Sequence, residues 1–309
     1  MNRNLKTAML AGLVATTALV SPVFAQDVQL MEGIEPRAGD NSTVEAGAFQ
    51  SDAPWTIGMS HFGVNANTWT VQMSHESTAA AALDSRIENF ILLDANIDQA
   101  KQVADIEDLI AQGVDAIIVT PLTPTSADAG IEKAVAAGIP VIVHTGLTET
   151  DAFTLEIQGG AQNFGRVMGQ FLVDDNGKKV CETFYLSNPN VDGIWSSGAD
   201  MTRACVDVFK EFGAEIPPTT GEGNNGFFGQ WVEDGFASIS AEYGPEQGAA
   251  GVRAAIALLE GQEMYKHYAY EPEGWDLEQV TEAYRPDLSA NVWFPTSLTE
   301  ERLQELYGQ

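Results

Sequence analysis

The chain has 309 residues, enough for one large or two medium domains, and 44 acidic against 15 basic side chains give it a formal charge of −29. A surface this acidic is repelled by phosphate backbones and anionic head groups, which excludes nucleic-acid and membrane-surface binding as expectations. Two cysteines, Cys181 and Cys205, are too few for a disulfide framework, and both a single bridge and free thiols stay open.

In chain order, the basic start Asn2 to Lys6, the apolar run Ala8 to Val20 and the step Val23-Phe24-Ala25 read as a secretory signal cleaved after Ala25. Gly12, Thr16 and Thr17 interrupt the run, which is short of the roughly 18 apolar residues of a membrane span. Residues 26–53 are polar and acidic without sustained periodicity and read as a flexible leader. From Trp55 the pattern changes. Strands are expected at Trp55 to Ser60, Asn89 to Asp94, Asp115 to Thr120 and Ile139 to His144. They alternate with helices at Asn67 to Leu83, Asp98 to Ala111 and Ser126 to Ala137. The strands are continuous apolar runs, as parallel strands covered on both faces should be. This half is therefore expected to be a doubly wound parallel sheet.

A second half is expected to open with the strand Phe153 to Gln158 and the helix Gln162 to Val173. Here the rhythm breaks, because Asp174-Asp175-Asn176-Gly177 leads straight into another helical stretch, Lys178 to Leu186, before the strand Asp192 to Ser196. The helix-strand unit Gln99 to Pro121 is echoed by Lys178 to Gly198, which implies two lobes of like topology. In the first lobe a strand, helix and strand precede that unit. In the second they do not, and since a βαβ unit takes about 30 residues or more, that much is missing between Asp175 and Lys178. Alternation then resumes with helix Asp200 to Phe212, strand Ile216 to Thr220, the turn Gly221 to Gly226, a helical piece Phe227 to Glu233 and the extended Ala237 to Ala241. A long helix Pro245 to Gly261, strand-like Tyr265 to Tyr270 and Asn291 to Phe294, and a closing helix Glu300 to Tyr307 follow.

The signal peptide, Trp55-Thr56-Ile57-Gly58-Met59-Ser60, Gln112 to Pro121, Ala136 to Val141, Asp192 to Gly198, Thr220 to Phe227 and Gly248 to Val252 together resemble the ribose-type (type I) periplasmic sugar-binding proteins of ABC transporters. The likeness runs in order over nearly the whole chain from Trp55. It implies an α/β fold of two doubly wound parallel-sheet lobes, the second incomplete, joined by three crossing segments. The division expected is signal 1–25, leader 26–53, N-terminal lobe 54–147 and 243–290, and truncated C-terminal lobe 148–242 and 291–309. It also implies a small sugar ligand in the cleft at the carboxyl ends of the strands, where an open α/β sheet places ligands on physical grounds too. The partner implied is an ABC permease in the inner membrane, and the protein is expected to be a periplasmic monomer.

Similar proteins use the loop after the first strand for an aromatic face and polar groups. Phe62 and Trp69 are the candidates for stacking on a sugar ring or for covering the core, and Asn65 for bonding a hydroxyl or capping the helix. At the end of the fourth strand, where the family usually carries a carboxylate, this chain has Thr145 and Gly146, so hydroxyl recognition there is expected to be weaker or differently tuned. Where relatives carry an acid after Thr220, this chain has Gly223, between Glu222 and Asn224. An arginine that relatives contribute early in the second lobe falls in the missing stretch. Asp200, Glu222, Asn224 and Glu242 are the second-lobe candidates, with turn or cap roles as the alternative.

No enzyme is expected. His61, His75, His144 and His267 are scattered without metal-ligand spacing, and neither a nucleophile elbow nor a phosphate-binding glycine loop is present, so no cofactor or metal is expected. A sugar-responsive transcription regulator shares the two-lobe core but needs a basic DNA-reading domain where this chain has a signal peptide and an acidic leader. A degenerate relative that no longer binds is the other alternative, because removing interior strands leaves edges unpaired.

Overall fold

The computed structural model describes residues 28–39, 42–159, 186–187, 191–196 and 198–309. The signal peptide, the helices expected at Gln162 to Val173 and over nearly all of Lys178 to Leu186, and the break between Asp175 and Lys178 lie outside the described residues.

The larger sheet grows from strands whose both faces are apolar. β3 (Trp55–His61), β4 (Ile87–Asp94), β5 (Ala116–Thr120), β6 (Val141–His144) and β7 (Leu155–Gln158) are parallel neighbours in the order β4-β3-β5-β6-β7. Every residue of β5 and β6 is buried. Ile118 and Ile142 face one apolar layer with Met59, while Ile117, Val119, Val141 and Val143 face the other. This double burial is why the runs are continuous rather than alternating. Helices α2 (Gln99–Gln112) and α3 (Asp128–Ala136) cover one face. Helices α1 (Thr68–Leu83) and α6 (Gln247–Leu259) cover the other, packed on each other. The termini obey local chemistry: Asp98 accepts from the Lys101 N–H at 3.0 Å to start α2, and Gly113 at φ 71° ends it.

Three expectations are corrected here. Phe153 to Gln158 does not open a second sheet. β7 pairs with β6, Ile142 opposite Leu155, and Leu155 and Ile157 fill the same apolar layer as Ile118. The leader is folded onto the body over its described part: β1 (Ile34–Pro36) pairs antiparallel with β11 (His267–Tyr270), and β2 (Thr43–Val44) with β10 (Met264–Tyr265). Leu30, Met31 and Ile34 are buried in the first-lobe core, which supplies the energy that ties this polar segment down. With β11 parallel to β7, the sheet has seven strands, and β1 is its edge. Asn291 to Phe294 forms no strand, only a bridge between Trp293 and Asn224.

The second lobe, among the described residues, holds a three-stranded sheet: β8 (Thr219–Glu222) parallel to β9 (Ser238–Ala241), and β12 (Gly274–Trp275) antiparallel to β9. The strand expected at Asp192 to Ser196 is reduced to a bridge from Ile194 to Thr219. Helices α4 (Ala199–Glu211), α5 (Asn225–Asp234) and α7 (Leu277–Ala283) pack around it over Phe227, Phe228, Trp231 and Val280. β12 and α7 thus belong with the second sheet, although residues up to 290 were expected in the first lobe. Cys205 in α4 is disulfide-bonded, its partner outside the described residues. The chain passes between the lobes after β7, over residues 242–246 and over 271–273; the Glu242 N–H bonds the Glu273 carbonyl at 2.9 Å, tying the last two passages together. The closing helix α8 (Glu300–Tyr307) rests its apolar side near α1.

Candidate functional site

A cavity of about 340 Å³ lies where the lobes meet. The first lobe contributes Asn67, Thr68 and Trp69 at the start of α1, just beyond the carboxyl end of β3. The second contributes Gly198, Asp200 and Met201 at the start of α4 and Glu222 at the end of β8. Tyr243 and Trp293, from segments between the lobes, close it.

Trp69 is held from two directions. Its Nε1–H donates to the Tyr243 carbonyl at 3.0 Å, and its ring stacks on Tyr243 with centroids 5.5 Å apart at 19°. It also packs against the apolar cores of both lobes, the covering role, and lines the cavity. Trp293 donates from Nε1 to Thr68 Oγ1 at 2.9 Å.

Glu222 is 8% exposed, and one carboxyl oxygen, Oε2, accepts from the Ala199 N–H at 3.2 Å at the start of α4. Burial, with a smaller contribution from the charge of Asp200, pushes its pKa up to about 8, so the group is mostly protonated at neutral pH. Asp200 is itself exposed and ion-paired with Arg203 at 3.1 Å.

The structure therefore brings together Trp69, Asp200 and Glu222 of the expected set. The others stand elsewhere. Phe62 stacks on His61, centroids 4.9 Å apart, at the carboxyl end of β3. Asn65 is exposed beside a separate depression, and the cap of α1 is Asn67, which accepts from the Thr70 N–H at 2.9 Å while Thr70 Oγ1 accepts from the Asn67 N–H. Thr145 sits at φ 53° after β6, its N–H bonded to the Ile157 carbonyl. Asn224 is buried and caps α5 through the Phe227 N–H at 3.1 Å. Glu242 lies in the passage between lobes, and burial raises its pKa. The residues missed are Asn67, Tyr243 and Trp293, which reach the cavity only through tertiary packing.

Gly223 has a structural cause. A Cβ there would fall inside contact distance of the Phe294 carbonyl oxygen and 2.9 Å from its carbon, and the Phe294 N–H bonds the Gly223 carbonyl at 2.5 Å. No side chain fits. The same segment is clamped to α1: Gln72 donates to the Trp293 carbonyl at 2.9 Å and accepts from its N–H at 2.8 Å. Four residues further along α1, buried Glu76 accepts from Thr296 Oγ1, from the Ser297 N–H at 3.1 Å and from Ser297 Oγ at 2.5 Å. Beneath Phe62, His61 accepts the Gly63 N–H on Nδ1 at 2.9 Å and His144 donates from Nε2 to the Gln247 carbonyl at 2.6 Å. Burial drives both histidines down to about 4, so both are neutral at pH 7.

Residues 61–187 match the family described as the periplasmic binding protein domain. No curated protein matches the sequence. Among solved structures, the binding component of the arabinose ABC transporter from Shewanella sp. ANA-3, bound to L-arabinofuranose, superposes with a TM-score of 0.65 at 21% identity, over 74% of this chain and 94% of its own. A solute-binding protein of an ABC transporter from Actinobacillus succinogenes 130z, with bound D-allose, gives 0.61 at 20% identity, over 74% and 99%. One from Bacillus halodurans C-125, with bound myo-inositol, gives 0.59 at 18% identity, over 75% and 98%. The chain has the type I periplasmic-binding-protein fold, and the proteins it matches are binding proteins rather than enzymes.

Proposed function

We propose that this chain, built on the periplasmic-binding-protein fold, is the extracytoplasmic substrate-binding component of an ABC importer and takes a monosaccharide or similarly small polar ligand between its lobes. The observation that carries the reading is the cavity of about 340 Å³ walled from both lobes by Trp69, Glu222 and Trp293. Its size suits one sugar ring, and lobes joined through a few backbone passages are the arrangement that closes about a hinge over a ligand. Among the described residues no helix is long and apolar enough to cross a membrane. The permease that would read the closed form is the implied partner, and a monomer in the periplasm is the implied state. A division at the passages 242–246 and 271–273, with β7 in the first lobe, follows the hydrogen bonding.

A thermal-shift screen of pentoses, hexoses and polyols against residues 26–309 tests this. Stabilisation by a subset of them is expected. No response to any of them would replace the transport reading with that of a relative that no longer binds.

A further inference from the structure

The charge around the cavity is one-sided. Its titratable wall among the described residues is Asp200, Glu222 and Tyr243, with no lysine, arginine or histidine. Asp200 is answered by Arg203. Glu222 is not: Oε2 takes the Ala199 N–H, while Oε1 has no hydrogen-bond partner among the described residues, on a side chain more than nine-tenths buried.

The helix starts at the cavity do not invite an anion. The first free amide of α4 is directed at Glu222, and the first turn of α1 is closed by the Asn67 cap. The indole N–H groups of Trp69 and Trp293 are engaged by the Tyr243 carbonyl and Thr68 Oγ1, so the two rings meet a ligand without these donors. The cavity wall sets the aromatic rings of Trp69, Tyr243 and Trp293 beside the carboxyl group of Glu222. Aromatic surface and a carboxylate together stabilise an ammonium group by cation–π attraction and a charge-assisted hydrogen bond. The formal charge of −29 concentrates cations around the whole molecule in the same sense.

We propose that the ligand is a monosaccharide-sized polar molecule bearing a positively charged amino group, held by Oε1 of Glu222 within the aromatic wall of Trp69, Tyr243 and Trp293. This rests on the cleft reading above and deepens it. Glu222 must ionise to make the pair. Because burial and Asp200 hold it mostly protonated at pH 7, a cation binding there displaces the proton to solvent.

Titration calorimetry on residues 26–309 at pH 7 compares glucose, galactose and mannose with their 2-amino counterparts, and includes choline, whose charge is permanent, in two buffers of different protonation heat. The expected result is that at least one amino sugar binds about tenfold or more tightly than its neutral form, the gain of a single charge-assisted contact. Choline binding should release close to one proton, a measurement that needs no variant. Glu222→Gln should abolish both the preference and the release. Neutral sugars binding as well as or better than the amino forms would overturn the charge assignment and leave the transport reading standing. Binding of choline with no proton released would also overturn it. No heat from any probe would remove both.

Discussion

Gly223→Ala places one methyl group against backbone that cannot swing aside. The atoms met are the carbonyl oxygen and carbon of Phe294, and the bond from the Phe294 N–H to the Gly223 carbonyl lies on the same contact. Overpacking of this kind costs about 1–3 kcal/mol. Separating the two segments enough to admit the methyl group also breaks that hydrogen bond, for about 1–3 kcal/mol more. The sum is about 2–6 kcal/mol, a fall in Tm of roughly 4–12 °C for a chain of this size. Circular dichroism melting of residues 26–309 measures it, with Gly213→Ala as the control. Gly213 has φ +61° and nothing near its absent Cβ, so alanine there meets only the left-handed backbone penalty of about 1 kcal/mol. Gly223→Asp, which restores the acid of relatives, should melt no higher than Gly223→Ala. If Gly223→Ala melts with the control, the close approach of Gly223 and Phe294 is not a feature of the folded protein and the reason given for the missing acid is wrong.

Gln72→Leu removes the reciprocal pair with Trp293 and leaves a buried N–H and C=O without partners; a loss of about 2–5 kcal/mol is expected in urea unfolding. Trp69→Ala removes the stack on Tyr243 and the bond to its carbonyl. It should cost about 2–4 kcal/mol and abolish ligand-induced thermal shifts. The pH dependence has two sides. Glu222 has a folded pKa raised to about 8, so the stability it contributes is full below its ordinary value near 4.5 and is lost as pH rises toward 8. The change is up to about 5 kcal/mol, and Glu222→Gln should flatten it. His61 and His144, held down to about 4, act oppositely: their contribution is full above 6.5 and is lost as pH falls toward 4, up to about 3 kcal/mol each. Denaturant midpoints between pH 4 and 9 should therefore peak in the middle, and a monotonic curve would contradict these assignments.

The first lobe was legible because strands such as Val141–His144, buried on both faces, write their environment directly into composition. Phe153 to Gln158 has the same signature, but composition does not say which sheet a strand joins, and its partner is β6. Ile34–Pro36 was unreadable for the opposite reason: three residues in polar surroundings acquire strand character only by lying on β11. The helix Leu277–Ala283 carried a usable mark that went unread, Asp276 and Gln279 capping each other. In the site, Glu222 was findable as the acid next to an anomalous glycine. Tyr243 and Trp293 were not, since Tyr243 lies in a passage between the lobes and Trp293 in a segment held against α1 while packed on the second-lobe core, positions that only tertiary structure sets.

The placement of β1 beside β11 bears on how the protein is made. The outermost strand of the first lobe lies near the start of the chain and its neighbour near the end, with the rest of the first-lobe sheet and β8 and β9 of the second between them in sequence. Closing so long a loop is slow, because the entropy is lost before the pairing rewards it. A ribosome-bound chain cannot complete that lobe until His267 to Tyr270 has emerged, so the sheet acquires its last edge only late in synthesis.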